Sequence, residues 1–395
     1  MTSQRTTTAV SSNPMPGVRG QTVRTLHDIR GDQYTRREAF PPRHNVPMGF
    51  PSAAVTQPPY HLPPLPVKGN AALMENSNEL LWREIRKQGE IYTPRFDHST
   101  IRRGDQVYLF GGSTANFYTV DQFLNDLFVF DTITGLWTRI SPQSTSPSPR
   151  AGQSMVMYKN KRFHMFGGRS EEGLLNDLWI FDLRLNIWGL KRASGVPPTP
   201  RSHHRACLWN DAMLIYGGAA DDDEGCVWSL DLVSRTWSRK LAKGPRPPNR
   251  SGHEAIVVEQ HLYIFGGQHL SGSQTGEASN DLWRVDLSKS PLAWEKLACE
   301  GEEPTARHGM AGVRIGSRWV LQGGRERIED DVVSQTDTAV AFNFNLSKWQ
   351  PLPESLVPFC QASRWGHRLN LIRTKTGSHC ILLTGGVTLC KLPLH

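Results

Sequence analysis

The 395-residue sequence contains no apolar run near the roughly 20 residues that a membrane-spanning helix needs, and this excludes an α-helical membrane protein. No two of its six cysteines have the spacing of a zinc site or a redox pair, and in a chain this long they do not form a disulfide framework. No apolar segment follows Met1, so we expect no secretory signal. These absences predict a cytoplasmic protein with free thiols, with the nucleus as an alternative compartment.

Catalytic motifs are also missing. The sequence has no G-x-S-x-G nucleophile elbow, no P-loop and no H-E-x-x-H metal motif. We therefore expect a protein without catalytic residues, bound metal or cofactor.

Residues 1–69 differ in composition from the rest of the chain. Eleven of the 27 prolines lie in the first 66 residues, and eight basic residues face three acidic ones up to Lys68. Apolar residues there follow no period of 2 or 3.6, so the segment cannot bury enough surface to offset its ordering entropy. We predict a disordered basic arm rich in Pro, Ser and Thr, suited to an acidic protein surface or to nucleic acid.

Two short motifs give the arm alternative interpretations. The first 26 residues contain arginine and no acidic residue, as a mitochondrial transit peptide does, but Pro14, Pro16 and Gly17 interrupt the helix that such peptides form. Residues 63–68 fit P-x-x-P-x-K, a polyproline ligand of SH3-like grooves. A solvated tail is the plainer interpretation of both.

A repeat of about 50 residues occupies the rest of the sequence. Six Gly-Gly pairs each follow a short apolar run: Gly111 and Gly112, Gly167 and Gly168, Gly217 and Gly218, Gly266 and Gly267, Gly323 and Gly324, and Gly385 and Gly386. Each repeat also carries a lone tryptophan after an alternating strand: Trp82, Trp137, Trp188, Trp237, Trp294 and Trp349. Glycine permits sharp turns where a Cβ would clash, and one Trp per repeat can fill the wedge between neighbouring units.

An arginine follows each tryptophan at a nearly constant distance. The arginines are Arg95, Arg150, Arg201, Arg250, Arg307 and Arg364, and five of the six Trp-to-Arg separations are 13 positions. Successive arginines are 49 to 57 positions apart.

This pattern resembles the kelch-repeat family from Asn70 to about Val387. The resemblance implies an all-β, six-bladed kelch β-propeller over residues 70–388, with four antiparallel strands per blade and a short tail at 389–395. The last repeat has only two strands of its own. Because Asn70 precedes Trp82 by the same 12 positions that separate Asn125 from Trp137, we expect N-terminal strands to complete the last blade.

Strand alternation places the arginines on the same face as the loops between the second and third strands. The longest of these loops cover residues 112–125, 267–280 and 324–336. In some kelch proteins, arginines at or next to this position hold an acidic peptide or a chain terminus, so the resemblance implies a charged-peptide socket. The candidate binding residues are Arg95, Arg150, Arg201, Arg250, Arg307, Arg364, Asp222, Asp223 and Glu326.

A structural role for the arginines is the alternative. In that case they pair with aspartates of neighbouring blades, such as Asp126, Asp177 and Asp281. Histidine follows the arginine by three positions in four repeats, at His98, His204, His253 and His367. Residues of different blades are too far apart to share a zinc ion at about 2 Å, so we expect repeat consensus rather than a metal ring.

The expected function is that of a non-catalytic protein-interaction module or scaffold with a protein or peptide partner. In layout the sequence is similar to the stand-alone kelch protein that acts as a Rab effector, and it would be monomeric or part of a hetero-complex. The alternatives are the substrate-recognition subunit of a ubiquitin ligase, a subunit of a large assembly anchored by the basic arm and, from a different class, a kelch-like enzyme.

Overall fold

The structure is a computed structural model. It describes residues 88–114, 122–220, 225–271, 274–327, 333–336, 338–352, 364–373, 375, 377 and 379–388. The chain divides into the units Met1–Asn70 and Ala71–His395, and all described residues belong to the second. The predicted arm at 1–69, the closing segment at 70–82 and the tail at 389–395 lie outside them.

Every regular element in these ranges is a β-strand, as the sequence predicts. No helix among the described residues is long and apolar enough to cross a membrane.

The first three repeats each form one sheet of four consecutive antiparallel strands, which we call a blade. Blade 1 contains β2 (Ser99–Arg103), β3 (Gln106–Phe110), β4 (Leu127–Asp131) and β5 (Leu136–Ile140), and β1 (Gln88–Gly89) pairs with β5 in parallel. Blade 2 contains β6 (Ser154–Tyr158), β7 (Arg162–Ser170), β8 (Gly173–Asp182) and β9 (Ile187–Lys191). Blade 3 contains β10 (Arg205–Trp209), β11 (Ala212–Tyr216), β12 (Val227–Asp231) and β13 (Thr236–Lys240).

The next two repeats add short strands to the same plan. The segment of blade 4 runs through β14 (Ala242–Lys243), β15 (Arg250–Ser251), β16 (Glu254–Val258), β17 (His261–Phe265), β18 (Gln268–Ser271), β19 (Gln274–Ala278), β20 (Leu282–Asp286) and β21 (Leu292–Lys296). That of blade 5 runs through β22 (Arg307–His308), β23 (Ala311–Ile315), β24 (Arg318–Gln322), β25 (Arg325–Arg327), β26 (Val333–Gln335), β27 (Ala339–Asn343) and β28 (Lys348–Pro351).

The sixth repeat contributes two principal strands. They are β30 (Arg368–Arg373) and β31 (His379–Thr384), flanked by the short β29 (Arg364–Trp365) and β32 (Val387–Thr388). The second strand of each blade is mostly apolar after its first residue, and β11 is apolar throughout, because this strand has strands on both sides and other blades on both faces. The fourth strand alternates, and in β13 only Trp237 is buried.

Six backbone hydrogen bonds link the innermost strands in a closed circle. In each repeat the residue two positions after the arginine donates its N–H to the carbonyl of the equivalent residue in another repeat, at 2.7–3.0 Å. We call these six residues the axial ring: Asp97, Gly152, His203, Gly252, Gly309 and Gly366.

The cores lie between blades. The aromatic residue just before a Gly-Gly pair packs on the lone tryptophan of the next blade, with ring centroids 4.9–5.1 Å apart. The four pairs are Phe110 with Trp188, Phe166 with Trp237, Tyr216 with Trp294, and Phe265 with Trp349. The predicted packing role of these tryptophans agrees with their exposure of 1–5%.

The Gly-Gly pairs are required where one blade meets the next. At Gly385, φ is +64° and an added Cβ would lie 2.4 Å from both the Arg95 carbonyl oxygen and the His98 ring. Only glycine allows this approach without moving backbone. The sixth Gly-Gly pair therefore contacts the first blade directly.

Candidate functional site

Five of the six predicted arginines are buried and Arg364 is half-buried, and each guanidinium donates to the first glycine carbonyl of its own blade's Gly-Gly pair at 2.9–3.4 Å. Arg95, Arg150, Arg201 and Arg250 are no more than 1% exposed, and Arg307 is 2% exposed. A guanidinium supplies donors in a fixed fork, so each one holds a turn in place.

Three of the arginines also form bidentate pairs with the aspartates named from the sequence. Arg150 reaches Asp177 at 2.6 and 2.8 Å, Arg95 pairs with Asp126, and Arg250 with Asp281. One detail of the prediction is wrong: each pair lies within one blade, not between neighbours, because the aspartate lies on or just before the third strand of the arginine's own repeat.

The remaining candidate binding residues are three acidic side chains. Glu326 accepts from Arg307 at 2.7 Å, which places this predicted binding residue in a pair of the same kind. Asp222 and Asp223 lie outside the described residues. The contacts of the arginines favour their structural interpretation, and a ligand-binding role for them stays a prediction.

The four repeat histidines are buried between blades. Burial holds the pKa of His98, His204 and His253 well below the usual value and lowers that of His367 to about 3. The His204 ring lies 2.7 Å from the Ser154 hydroxyl. In the described part of the chain, no three His, Cys, Asp or Glu side chains are grouped to hold a metal ion.

A different set of side chains occupies the axial ring. Four ring positions are glycine, but Asp97 and His203 occupy the other two with φ values of 52° and 56°. The left-handed region costs a non-glycine residue about 1 kcal/mol or more. Their side chains meet across blade 2, with His203 Nε2 2.9 Å from Asp97 Oδ2. Gly152, the ring residue between them, has no side chain to obstruct this contact.

Three more charged side chains start the innermost strands beside this pair. Arg205 pairs with Glu254 and donates its Nε to the His253 carbonyl at 2.9 Å. Arg368 is half-buried, and its desolvation together with the charge of Arg205 lowers its pKa to about 10. We call Asp97, His203, Arg205, Glu254 and Arg368 the axial cluster.

The electrostatics of the axial cluster couple its members. Burial opposes ionisation of Asp97, but His203, Arg368 and Arg205 together hold the pKa of its carboxyl below the usual value. Burial raises the pKa of Glu254, and the charge of Arg205 offsets part of that shift. A group of two arginines, two carboxylates and one imidazole can recognise a charged or strongly polar ligand group.

An aromatic and cationic rim adjoins the cluster. Phe96 packs against Trp365 with centroids 5.0 Å apart, and the Arg325 guanidinium lies 4.7 Å from the Trp365 ring centroid. Burial and the charge of Arg325 lower the pKa of His308 to about 4. Flat rings beside charged groups form the kind of surface on which partner side chains are recognised.

One arrangement in the cluster has the composition of a catalytic triad. The Ser202 hydroxyl lies 3.1 Å from His203 Nδ1, and His203 Nε2 contacts Asp97. Ser202 is only 2% exposed, so it does not present a nucleophile to a substrate.

The sequence reasoning did not identify the axial cluster, although a signal for it exists. Four repeats have glycine two positions after the arginine, at Gly152, Gly252, Gly309 and Gly366. Aspartate and histidine stand there in the other two repeats, at Asp97 and His203. Comparing the repeats position by position would have shown both exceptions.

Comparison with known proteins agrees with this architecture. The family model described as "KLHDC2/KLHL20/DRC7 Kelch-repeats domain" matches residues 67–267 and 187–386. The chain belongs to the kelch-repeat family. Its fold is also that of a solved kelch-type propeller structure titled "Structure of YjhT", with a TM-score of 0.56 at 16% identity over 76% of this chain and 96% of that one.

Curated relatives share only part of their length with this kelch-repeat chain. "Acyl-CoA-binding domain-containing protein 4" of Arabidopsis thaliana is 29% identical over 278 residues, which are 68% of this chain and 40% of the relative. "Kelch domain-containing protein 3" of Bos taurus is 33% identical over 135 residues, 31% of this chain and 35% of the relative. The chain thus matches less than half the length of each.

Proposed function

We propose that the chain is a non-catalytic protein-interaction module that binds a partner protein or peptide at the axial cluster and its rim. The observation that carries the proposal is the pair Asp97 and His203. Both occupy a conformation that the other four repeats assign to glycine, and both direct their side chains toward one another. Strain retained at two equivalent positions is typical of functional sites.

Kelch repeats generally mediate protein–protein interaction, and this agrees with the proposal. The axial cluster offers hydrogen-bond donors and acceptors of both charge signs, so it suits a polar or charged partner segment. On the rim, the half-buried Trp365 ring, supported by the buried Phe96, and the Arg325 guanidinium add flat contact area for the partner's side chains. A ubiquitin-ligase role, a place in a large assembly through the basic arm, and contact of that arm with nucleic acid remain separate predictions.

The proposed architecture behind this site is a closed six-bladed propeller. The closed circle of hydrogen bonds at the axial ring and the contact of Gly385 with Arg95 support six blades. We propose that residues 70–82 add the two outer strands to β30 and β31. A deletion of residues 1–66 should then preserve thermal stability, whereas a deletion of residues 1–82 should lower it sharply.

A photo-cross-linking experiment tests the binding face. A photoreactive phenylalanine analogue replaces Trp365 on the rim in one protein and Leu346 in another. Leu346 is 59% exposed in the turn between β27 and β28, on the opposite face because successive strands run in opposite directions. We expect partner adducts from position 365 and none from position 346. Equal adducts from both positions, or adducts only from 346, would contradict the proposal.

A further inference from the structure

Ser194 has a sequence context that occurs once in the chain. It is preceded by Lys191, Arg192 and Ala193. The chain contains six pairs of adjacent Lys or Arg residues, and only this pair is followed by a serine or threonine two positions after its second member. Two cationic side chains just before a hydroxyl suit a partner protein with an acidic binding cleft, because each cation can form charge-assisted hydrogen bonds to carboxylates in that cleft.

The structure presents this segment at the perimeter. Ser194 is exposed, as are Lys191 and Arg192 on its N-terminal side and Val196 on its C-terminal side. The segment connects β9 of blade 2 to β10 of blade 3 and lies along the outer strand β13. Its small Ala193 packs against the core below.

Two backbone hydrogen bonds hold Ser194 to that edge. Its N–H donates to the Arg235 carbonyl at 2.8 Å, and its carbonyl accepts from Trp237 at 2.8 Å. Three of the next six residues are prolines, which have no N–H to donate. Since each bond contributes about 1 kcal/mol net, lifting this segment into an extended conformation is inexpensive.

Residues at the position equivalent to Ser194 in other blades show that a negatively charged side chain can be accommodated there. Gln88, Lys243 and Glu300 also bridge in parallel to an outer strand, and each precedes a glycine with positive φ, as Ser194 does. All three are exposed. Because Glu300 carries a carboxylate there, a phosphate on Ser194 meets no packing obstacle.

We propose that Ser194 is a phosphorylation site for a basophilic serine/threonine kinase that uses Mg–ATP. The Ser194 hydroxyl oxygen attacks the γ-phosphorus of ATP, the bond from that phosphorus to the bridging oxygen of ADP breaks, and the hydroxyl proton passes to the kinase's catalytic aspartate. The product adds about −1.5 to −2 charge beside Lys191, Arg192 and Arg235, and this offsets half or more of the positive charge that those three side chains carry.

The test uses the folded full-length chain, the catalytic subunit of cyclic-AMP-dependent protein kinase and Mg–ATP. We expect one phosphate by intact mass, localised to Ser194 by tandem mass spectrometry. Ser194→Ala should abolish it, and Arg192→Ala should slow it by about tenfold, as loss of a charge-assisted contact implies. Ser238→Ala is the matched control, because Ser238 follows a basic residue, Arg235, by three positions as Ser194 follows Lys191, but lies within β13.

Three results would overturn the proposal. They are unchanged phosphate incorporation in Ser194→Ala, a rate unaffected by Arg192→Ala, and phosphorylation of Ser194 only after the protein has been unfolded by heat.

Discussion

Replacing His367 with glutamine should make the protein more resistant to acid. The buried His367 has its pKa lowered to about 3, whereas an unfolded chain has histidine near 6.5. A depressed histidine pKa means that unfolding binds a proton, so the stability from the neutral imidazole is complete above about pH 6.5 and is lost as pH falls toward 3. Lowering the pH from 8 to 5 therefore reduces the free energy of unfolding by about 2 kcal/mol through this one residue.

The repeat itself supplies the substitution. Gln153 occupies the equivalent position in blade 2 and donates its side-chain amide to the Phe110 carbonyl at 3.0 Å. A glutamine at 367 can therefore fill the same inter-blade space without taking up a proton. When the pH falls from 8 to 5, the free energy of unfolding of His367→Gln should therefore decrease by about 2 kcal/mol less than that of the parent.

Urea unfolding followed by tryptophan fluorescence at the two pH values measures this difference. His379→Gln is the matched control, because it removes an exposed imidazole from the neighbouring strand. If His367→Gln loses as much stability as the parent between pH 8 and pH 5, the assignment of a neutral buried histidine is refuted. If the variant is merely less stable at both pH values by the same amount, the reasoning fails in the same way.

Two further predictions concern the blade edges and the buried ion pairs. Gly301→Ala should destabilise by about 2 kcal/mol more than Gly244→Ala in thermal or urea unfolding, because both sites have positive φ but only the Cβ at 301 would lie 2.2 Å from a backbone oxygen, that of Trp349. Equal effects of the two substitutions would contradict this close approach of Gly301 to the outer strand. Arg250→Met should cost about 3–5 kcal/mol by leaving Asp281 unpaired, whereas Arg318→Met on the exposed surface should change stability little; a small effect at Arg250 would show that the pair is dispensable.

The sequence predicts the blades well because each device recurs at a fixed spacing. The tryptophans lie where the repeat places them, packed on the aromatic residue before the Gly-Gly pair of the preceding blade. This information is local to one repeat and its neighbour. Because the pattern occurs in six repeats, it can be recognised from the sequence alone.

The roles of the arginines were harder to predict. A socket and a set of ion pairs both require an arginine near the turn, and spacing alone does not say whether Arg150 is exposed. The structure shows it 1% exposed and paired with Asp177, because the third strand of the same blade returns beneath the turn. The partner's blade was assigned wrongly because sequence distance does not reveal which strands share a sheet.

The axial cluster depends on how the repeats meet in space. Asp97 and His203 are 106 positions apart, and their contact exists only because blade 2 brings a side-chain-free Gly152 between them. The exceptions to the glycine pattern are visible in the sequence. Their pairing follows from the circular arrangement of the innermost strands.

The most direct measurement of the proposed binding role compares two double variants with the parent in partner cross-linking mass spectrometry on full-length protein. Asp97→Gly with His203→Gly installs the residue that the other four ring positions carry. Asn186→Gly with Asn210→Gly makes the same kind of change at two other left-handed residues, in turns on the opposite face. We expect the first variant to lose the partners that the parent and the second variant retain. Full retention of those partners by the first variant, with the same cross-linked residues, would contradict binding at the axial cluster.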